Sequence, residues 1–340
     1  MKRIMHVVGA RPNFMKAAPL ISEMAKFPNE FTQLLVHTGQ HYDTTMSEIF
    51  FEELELPKPD VNLEVGSGSH DVNSTMACTL VASKLGFKVA HVEAGLRSFD
   101  RTMPEELNRL ITDQLADLLF TPSYDANENL LREGIQAEKI HFVGNVMIDT
   151  LIRLLPKAEE RWPELQKRFE LSDPYMLVTL HRPVNVDDPA MLAQFVAALN
   201  EINSQIRIVF PVHPRTRNRI TGLGLTLPSD NLLFIEPLGY LDFLALQSHS
   251  SVVLTDSGGV QEETTYLGVP CLTARPNTER PVTITDGTNR LVKSNRLDLI
   301  NAIEMTLNNE DHSHTFNRQH PKLWDGRAAE RIVRTMSIEI

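Results

Sequence analysis

The sequence predicts an α/β protein built from two Rossmann-like, doubly wound domains that face a cleft. Three observations carry that expectation. Short apolar runs alternate with longer stretches of helical periodicity, the mark of βαβ units and parallel sheets. The alternation runs through two series, separated by a charged stretch without strand signals at residues 156–173. Polar residues gather where the strands of both series end, which is where open α/β sheets bind their ligands. A length of 340 residues accommodates two such domains. The expected boundaries are 1–155, with the last helix (325–340) packing back on it, and 156–324.

In chain order, RIMHVVG (3–9) reads as a strand and Pro12 to Lys26 as a helix. FTQLLVHTG (31–39) is a second strand, followed by a helix through Ile49 and Phe50. A helix over Met76 to Leu85 precedes the strand KVAHVEAG (88–95). Pro104 opens a helix whose Leu107, Leu110, Ile111 and Leu115 share one face. Ser123 and Gly134 bracket the next helix, and KIHFVGN (139–145) is a short strand. After the charged bridge come the strands YMLVTLH (175–181), IRIVFPVH (206–213), NLLFIEP (231–237), SVVLTD (251–256) and PCLTA (270–274).

Composition narrows the function. The net charge of -11, from 44 acidic and 33 basic residues, argues against a nucleic-acid surface, which needs a basic face. No apolar run approaches the roughly 20 residues that span a bilayer. Cys78 and Cys271 lie far apart in apolar surroundings and read as reduced thiols of a cytoplasmic protein. The 12 histidines show no metal-ligand spacing, so no metal is expected. A Ser-His-Asp hydrolase has no GxSxG elbow here.

The clearest local mechanism is TDSGGVQEE (255–263). A strand ends at Asp256, and Ser257, Gly258 and Gly259 open a helix. Free N–H groups and the helix dipole favour a phosphate there. Glu262 and Glu263 follow one turn later, placed to accept hydrogen bonds from ribose hydroxyls. Elsewhere at strand ends stand Arg11 and Lys16; Glu93 and Arg97, followed by Glu105, Glu106 and Arg109; His181 and Arg182; and His213 and Arg215.

With HVEAGLR (91–97), PEELNR (104–109), PVHPRTR (211–217) and TDSGGVQEE in place, the chain closely resembles the non-hydrolysing UDP-N-acetylglucosamine 2-epimerases, over almost its whole length. The resemblance implies a GT-B-like fold and interconversion of UDP-N-acetylglucosamine and UDP-N-acetylmannosamine, with no cofactor consumed. UDP is eliminated to give 2-acetamidoglucal, then re-added after C2 is reprotonated on the other face. It implies catalytic roles for Asp71, Glu93, Glu105 and His213, with His213 near the diphosphate. Arg11, Lys16, Ser257, Gly258, Gly259, Glu263 and Arg280 are implied to hold UDP, and Gln40 and His41 resemble part of an allosteric site. A homodimer is the implied assembly. A GT-B glycosyltransferase is the competing class, but it has no need of the HVEAGLR and PEELNR carboxylates.

The chain departs from the family pattern in three places. Val184 and Val282 stand where many relatives have a glutamate, which leaves a modified UDP-sugar substrate open. Asp71 follows GSGSH rather than the end of a strand. Relatives carry a helix and that strand at this junction, a unit of roughly 25–30 residues. The expectation is therefore a segment missing between His70 and Asp71.

Overall fold

The structure, a computed structural model, describes residues 1–9, 11–39, 51–65, 73–172, 174–225, 231–308 and 320–340. The chain divides into two compact units, Met1–Leu154 with Pro321–Ile340, and Leu155–His320. The helix through Ile49 and Phe50, and the junction at Asp71, fall outside the described residues.

The first unit begins with β1 (Lys2–Val8), α1 (Arg11–Met24), β2 (Phe31–His37) and β3 (Val61–Asn62). It continues with α2 (Asn73–Lys84), β4 (Ala90–Val92), α3 (Pro104–Leu115), β5 (Leu118–Thr121), α4 (Tyr124–Arg132) and β6 (Ile140–Phe142). Helix α5 (Val146–Arg168) leads into the second unit through the charged bridge, and its interior includes Pro156 and Pro163. The second unit holds β7 (Tyr175–Thr179), α6 (Pro183–Val186), α7 (Pro189–Ile202), β8 (Arg207–Pro211), α8 (Pro214–Gly222), β9 (Leu232–Ile235), α9 (Tyr240–Ser248) and β10 (Val252–Thr255). Then come α10 (Gly258–Leu267), β11 (Cys271–Ala274), α11 (Val282–Thr285), β12 (Asn289–Val292) and α12 (Arg296–Leu307), before α13 (Ala328–Glu339).

The second unit has one six-stranded sheet, in order β12-β11-β10-β7-β8-β9, with every pairing parallel. Its strands are apolar on both faces, as helices on both sides require. Met176, Val178, Ile208, Phe210, Leu254 and Leu272 form the centre of its core. Strand β12 was not expected from the sequence. NRLV is short and polar at its start, and Asn289 is buried through hydrogen bonds to Gln261, Thr273 and Thr283.

The first unit differs from this pattern. Its strands form two separate parallel sheets, β1-β2-β3 and β4-β5-β6. Among the described residues nothing pairs with the second edge of β1 or the outer edge of β4. In the second unit the corresponding place is filled by β10, which lies between β7 and β11 and feeds directly into α10. Residues 236–257 make that connection and include α9 and β10, whereas residues 63–72, fewer than half as many, join β3 to α2. A parallel strand is normally buried on both faces. Met5, mid-strand on β1, is instead 59% exposed.

Two further features set the site. Helix α13 packs its Ile332, Val333 and Met336 into one cluster with Leu20 and Met24 of α1. Asp149 on α5 accepts hydrogen bonds from the first N–H groups of that helix, Ala328 at 3.1 Å and Ala329 at 2.7 Å. Burial pushes the Asp149 carboxyl up to about 6, against the pull of those two bonds. On helix α3 the apolar Leu107 and Ile111 lie on the open side, each 42% exposed. The buried side is polar, formed by Glu106, Asn108, Thr112 and Asp113, because the loop before α3 is held by hydrogen bonds to that side.

Candidate active site

The first unit presents its chemistry in the loop after β4. Glu93 sits there with φ of 69°, in the left-handed region. For a residue with a Cβ this conformation costs on the order of 1–2 kcal/mol, and it persists only where the surroundings impose it. Glu93 is ion-paired with Lys16, which projects from the second turn of α1. Gly95 also has positive φ, and a Cβ at that position would lie 2.4 Å from the Ala126 carbonyl oxygen, so only glycine fits.

The loop is held by buried carboxylates from α3. Asp113 contacts His91 Nδ1 at 2.6 Å and Arg97 at 2.7 Å, and accepts from the Gly95 N–H at 3.1 Å. Burial pushes the Asp113 carboxyl up, but His91 and Arg97 outweigh it and hold it below the usual carboxylate range. Arg97 forks onto Glu133, at 2.8 and 2.7 Å. Glu106 accepts from the Ser98 N–H and hydroxyl, both at 3.0 Å, and from the Phe99 N–H at 2.9 Å, with Arg109 3.0 Å away. Glu105, one residue earlier, is half-buried and makes no hydrogen bond or ion pair among the described residues. Of the two adjacent glutamates, Glu106 is thus committed to the loop, whereas Glu105, the one expected at the site, is not.

Arg11 opens α1, but its side chain lies outside the described residues, as do Asp71, Gln40 and His41. Lys16, expected beside phosphate, is found on Glu93.

The second unit supplies a cradle of open backbone donors. Ser257 caps α10 without a side-chain hydrogen bond, so the first-turn N–H groups of Gly258 and Gly259 have no intrahelical acceptor. The turn is fixed from below by Asp256, which is fully buried. It accepts from the N–H groups of His181 and Arg182 and from the Asn185 amide, and contacts His181 Nδ1 at 2.8 Å. Burial pushes the Asp256 carboxyl up, but the His181, Asn185 and Arg182 partners hold it below its ordinary range.

Against the cradle lies Arg280, with Glu262 3.0 Å from its Nε and Glu279 2.8 Å from Nη1. Glu279 also binds Arg275 at 2.6 Å. The guanidinium is therefore fixed in direction by buried carboxylates. Glu263, one turn into α10, accepts from the Tyr240 hydroxyl at 3.0 Å. Burial pushes its carboxyl up to about 7, with Tyr240 opposing. His213 is exposed at the end of β8 and caps α8, its Nδ1 accepting from the Arg215 N–H at 3.2 Å. Sequence reasoning missed Asp113, Asp256 and Glu279 as the carboxylates that hold these groups in place.

Among the described residues no group of three or more His, Cys, Asp or Glu could hold a metal ion, and no helix is long and apolar enough to cross a membrane.

Comparison with known proteins agrees with this chemistry. The profile of the UDP-N-acetylglucosamine 2-epimerase family matches residues 23–74 and 70–337, breaking at the junction around Asp71. The UDP-N-acetylglucosamine 2-epimerase of Methanocaldococcus jannaschii is 42% identical over 365 aligned positions, covering 97% of this chain and 98% of the relative. Those 365 positions exceed the 340 residues of the chain, so at least 25 residues of that relative have no counterpart here. A UDP-2,3-diacetamido-2,3-dideoxy-D-glucuronate 2-epimerase of Pseudomonas aeruginosa is 41% identical, covering 90% of this chain and 92% of the relative. The crystal structure of the M. jannaschii enzyme in complex with UDP-GlcNAc and UDP superposes with a TM-score of 0.88 at 40% identity, over 99% of both chains. The two parallel α/β units are GT-B-like in fold, and the chain belongs to the UDP-N-acetylglucosamine 2-epimerase family.

Proposed function

We propose that this protein is an isomerase that interconverts UDP-N-acetylglucosamine and UDP-N-acetylmannosamine. The observation that carries the reading is Glu93, held on strained backbone beside Lys16, in a chain 40% identical to a solved epimerase bound to UDP-GlcNAc and UDP. As the C1–O bond to UDP breaks, positive charge builds on the ring and acidifies C2–H. Nearby carboxylates stabilise that charge. One carboxylate takes the C2 proton, the C2–H electrons form the C1=C2 bond of 2-acetamidoglucal, and the C1–O electrons leave with UDP. A proton then returns to C2 on the opposite face while a UDP oxygen adds back to C1.

Glu93, Glu105 and Asp71 form the acid/base and charge-stabilising set. Glu105 has the freedom for this, being without a partner among the described residues. His213 steadies the departing diphosphate. Ser257, Gly258 and Gly259 hold phosphate oxygens at the start of α10, with Arg280 beside them and Arg11 and Lys16 as further cations. Glu263 accepts from the ribose hydroxyls. The working assembly is a homodimer, which light scattering of the purified protein tests.

A second reading keeps the chemistry and changes the sugar. The P. aeruginosa relative that acts on a 2,3-diacetamido uronate is as similar in identity as the N-acetylglucosamine enzymes, and Val184 and Val282 replace carboxylates that would repel a uronate. Turnover of each UDP-sugar by the purified protein, followed by NMR, decides between them. Epimerisation of UDP-N-acetylglucosamine supports the first reading, and epimerisation of the uronate alone supports the second.

A further inference from the structure

We propose that Asp113 is a positioning residue for Glu93, acting through the backbone of the loop that carries it; the inference rests on the proton-transfer reading given above.

Glu93 is bracketed by residues tied to one carboxylate. His91, two residues before it, meets Asp113 Oδ1 at 2.6 Å. Gly95, two residues after it, donates its N–H to Oδ2 at 3.1 Å. Arg97, four residues after it, places Nη2 2.7 Å from the same oxygen. Asp113 is wholly buried, so water cannot substitute for any of the three. The far side of the loop is clamped by α4. Asn129 donates to the Gly95 carbonyl at 3.0 Å, and Glu133 holds the other edge of the Arg97 fork.

Left-handed backbone at Glu93 is disfavoured in isolation and needs such over-determination. Loss of the Asp113 anion frees the loop to relax toward ordinary φ, and that swings the Glu93 carboxylate. A displacement of about 1 Å at a reacting group costs about 10²-fold in rate. Most of the proposed UDP contacts, Ser257, Gly258, Gly259, Glu263 and Arg280, lie in the other unit, so UDP affinity is largely insulated from this change. A residue that merely supports the fold would instead lower stability and all kinetic parameters together.

The test compares the unsubstituted chain with Asp113→Asn and Asn129→Ala. Asp113→Asn keeps the side-chain shape but removes the charge that Arg97 meets and replaces one of the two accepting oxygens with a donor. Its kcat is expected to fall about 10- to 100-fold while KM and UDP affinity stay within about threefold. Asn129→Ala removes the neutral clamp on Gly95 and is expected to lower kcat several-fold, again at unchanged KM. Near-normal kcat in a folded Asp113→Asn protein overturns the proposal. So does a parallel loss of KM and UDP affinity. Should Asp113→Asn not fold, Asn129→Ala decides alone, and an unaltered kcat there overturns the proposal. An unsubstituted chain inactive on both UDP-sugars refutes the proposed function itself, and the role of Asp113 falls with it.

Discussion

Gly258 leaves room for the guanidinium of Arg280: a Cβ at Gly258 would lie 2.6 Å from Arg280 Nη1. The guanidinium cannot retreat freely, since Glu262 and Glu279 hold it from two sides. The cation and the open start of α10 thus share one small space, which suits a diphosphate bearing negative charge on both groups. Gly258→Ala is therefore expected to displace Arg280 and weaken UDP binding by roughly 10- to 100-fold, since lost charge-assisted hydrogen bonds are worth about 1.5–3 kcal/mol. Calorimetric titration with UDP checks this, and an unchanged affinity contradicts the placement of phosphate at this turn.

Glu93→Gln is expected to lower turnover by about 10²–10⁴, the usual effect of removing an acid/base group. UDP binding should change little, because most of the proposed UDP contacts are made elsewhere, although Lys16 is paired with Glu93. Steady-state kinetics beside calorimetry separate the two effects. Turnover near that of the unsubstituted protein removes Glu93 from the mechanism.

Glu263 makes stability depend on pH in a defined direction. Its folded value, about 7, lies above the ordinary 4.5. Below pH 4.5 the carboxyl is protonated in both states and exacts no penalty. Between 4.5 and 7 the unfolded chain ionises first, so stability falls as pH rises, and above 7 the loss is complete. Glu263→Gln abolishes this contribution. Relative to the unsubstituted protein, the variant should gain up to roughly 3 kcal/mol between pH 4.5 and 8. Urea unfolding at both pH values measures the gain, and a pH-independent difference contradicts a buried, ionising Glu263.

The split sheet of the first unit gives a prediction outside the site. Lys2 donates its N–H toward β2, so by alternation the N–H groups of Arg3, Met5 and Val7 point to the open edge of β1. These amides should exchange rapidly with solvent. A chain carrying the unmatched segment of the M. jannaschii relative between His70 and Asp71 should protect them by about 10-fold or more. Hydrogen-exchange mass spectrometry or NMR reads this directly. Strong protection in the unaltered chain would mean that the edge is already covered.

Most elements of the fold were legible because strands and helices announce themselves locally, through apolar runs and turn residues. β12 was not, because its Asn289 is buried by hydrogen bonds that no periodicity records. The buried face of α3 was not legible either: local apolar spacing marks Leu107 and Ile111, while the loop before the helix requires Glu106 and Asp113 on the buried side. The site divides in the same way. Residues that meet a ligand stand in short motifs, HVEAGLR and TDSGG. Those that hold them come from distant positions: Asp113 supports His91 from 22 residues away, and Asp256 supports Asn185 across 71. Nothing in a linear pattern connects such pairs.

The central claim is proton exchange at C2 coupled to departure of UDP. Purified protein incubated with UDP-N-acetylglucosamine in heavy water, followed by proton NMR, tests it most directly. UDP-N-acetylmannosamine with deuterium at C2 is expected to appear, with gradual loss of the C2 proton signal from the remaining substrate. Epimerised product that retains its original C2 proton, or substrate unchanged without an acceptor, would contradict it.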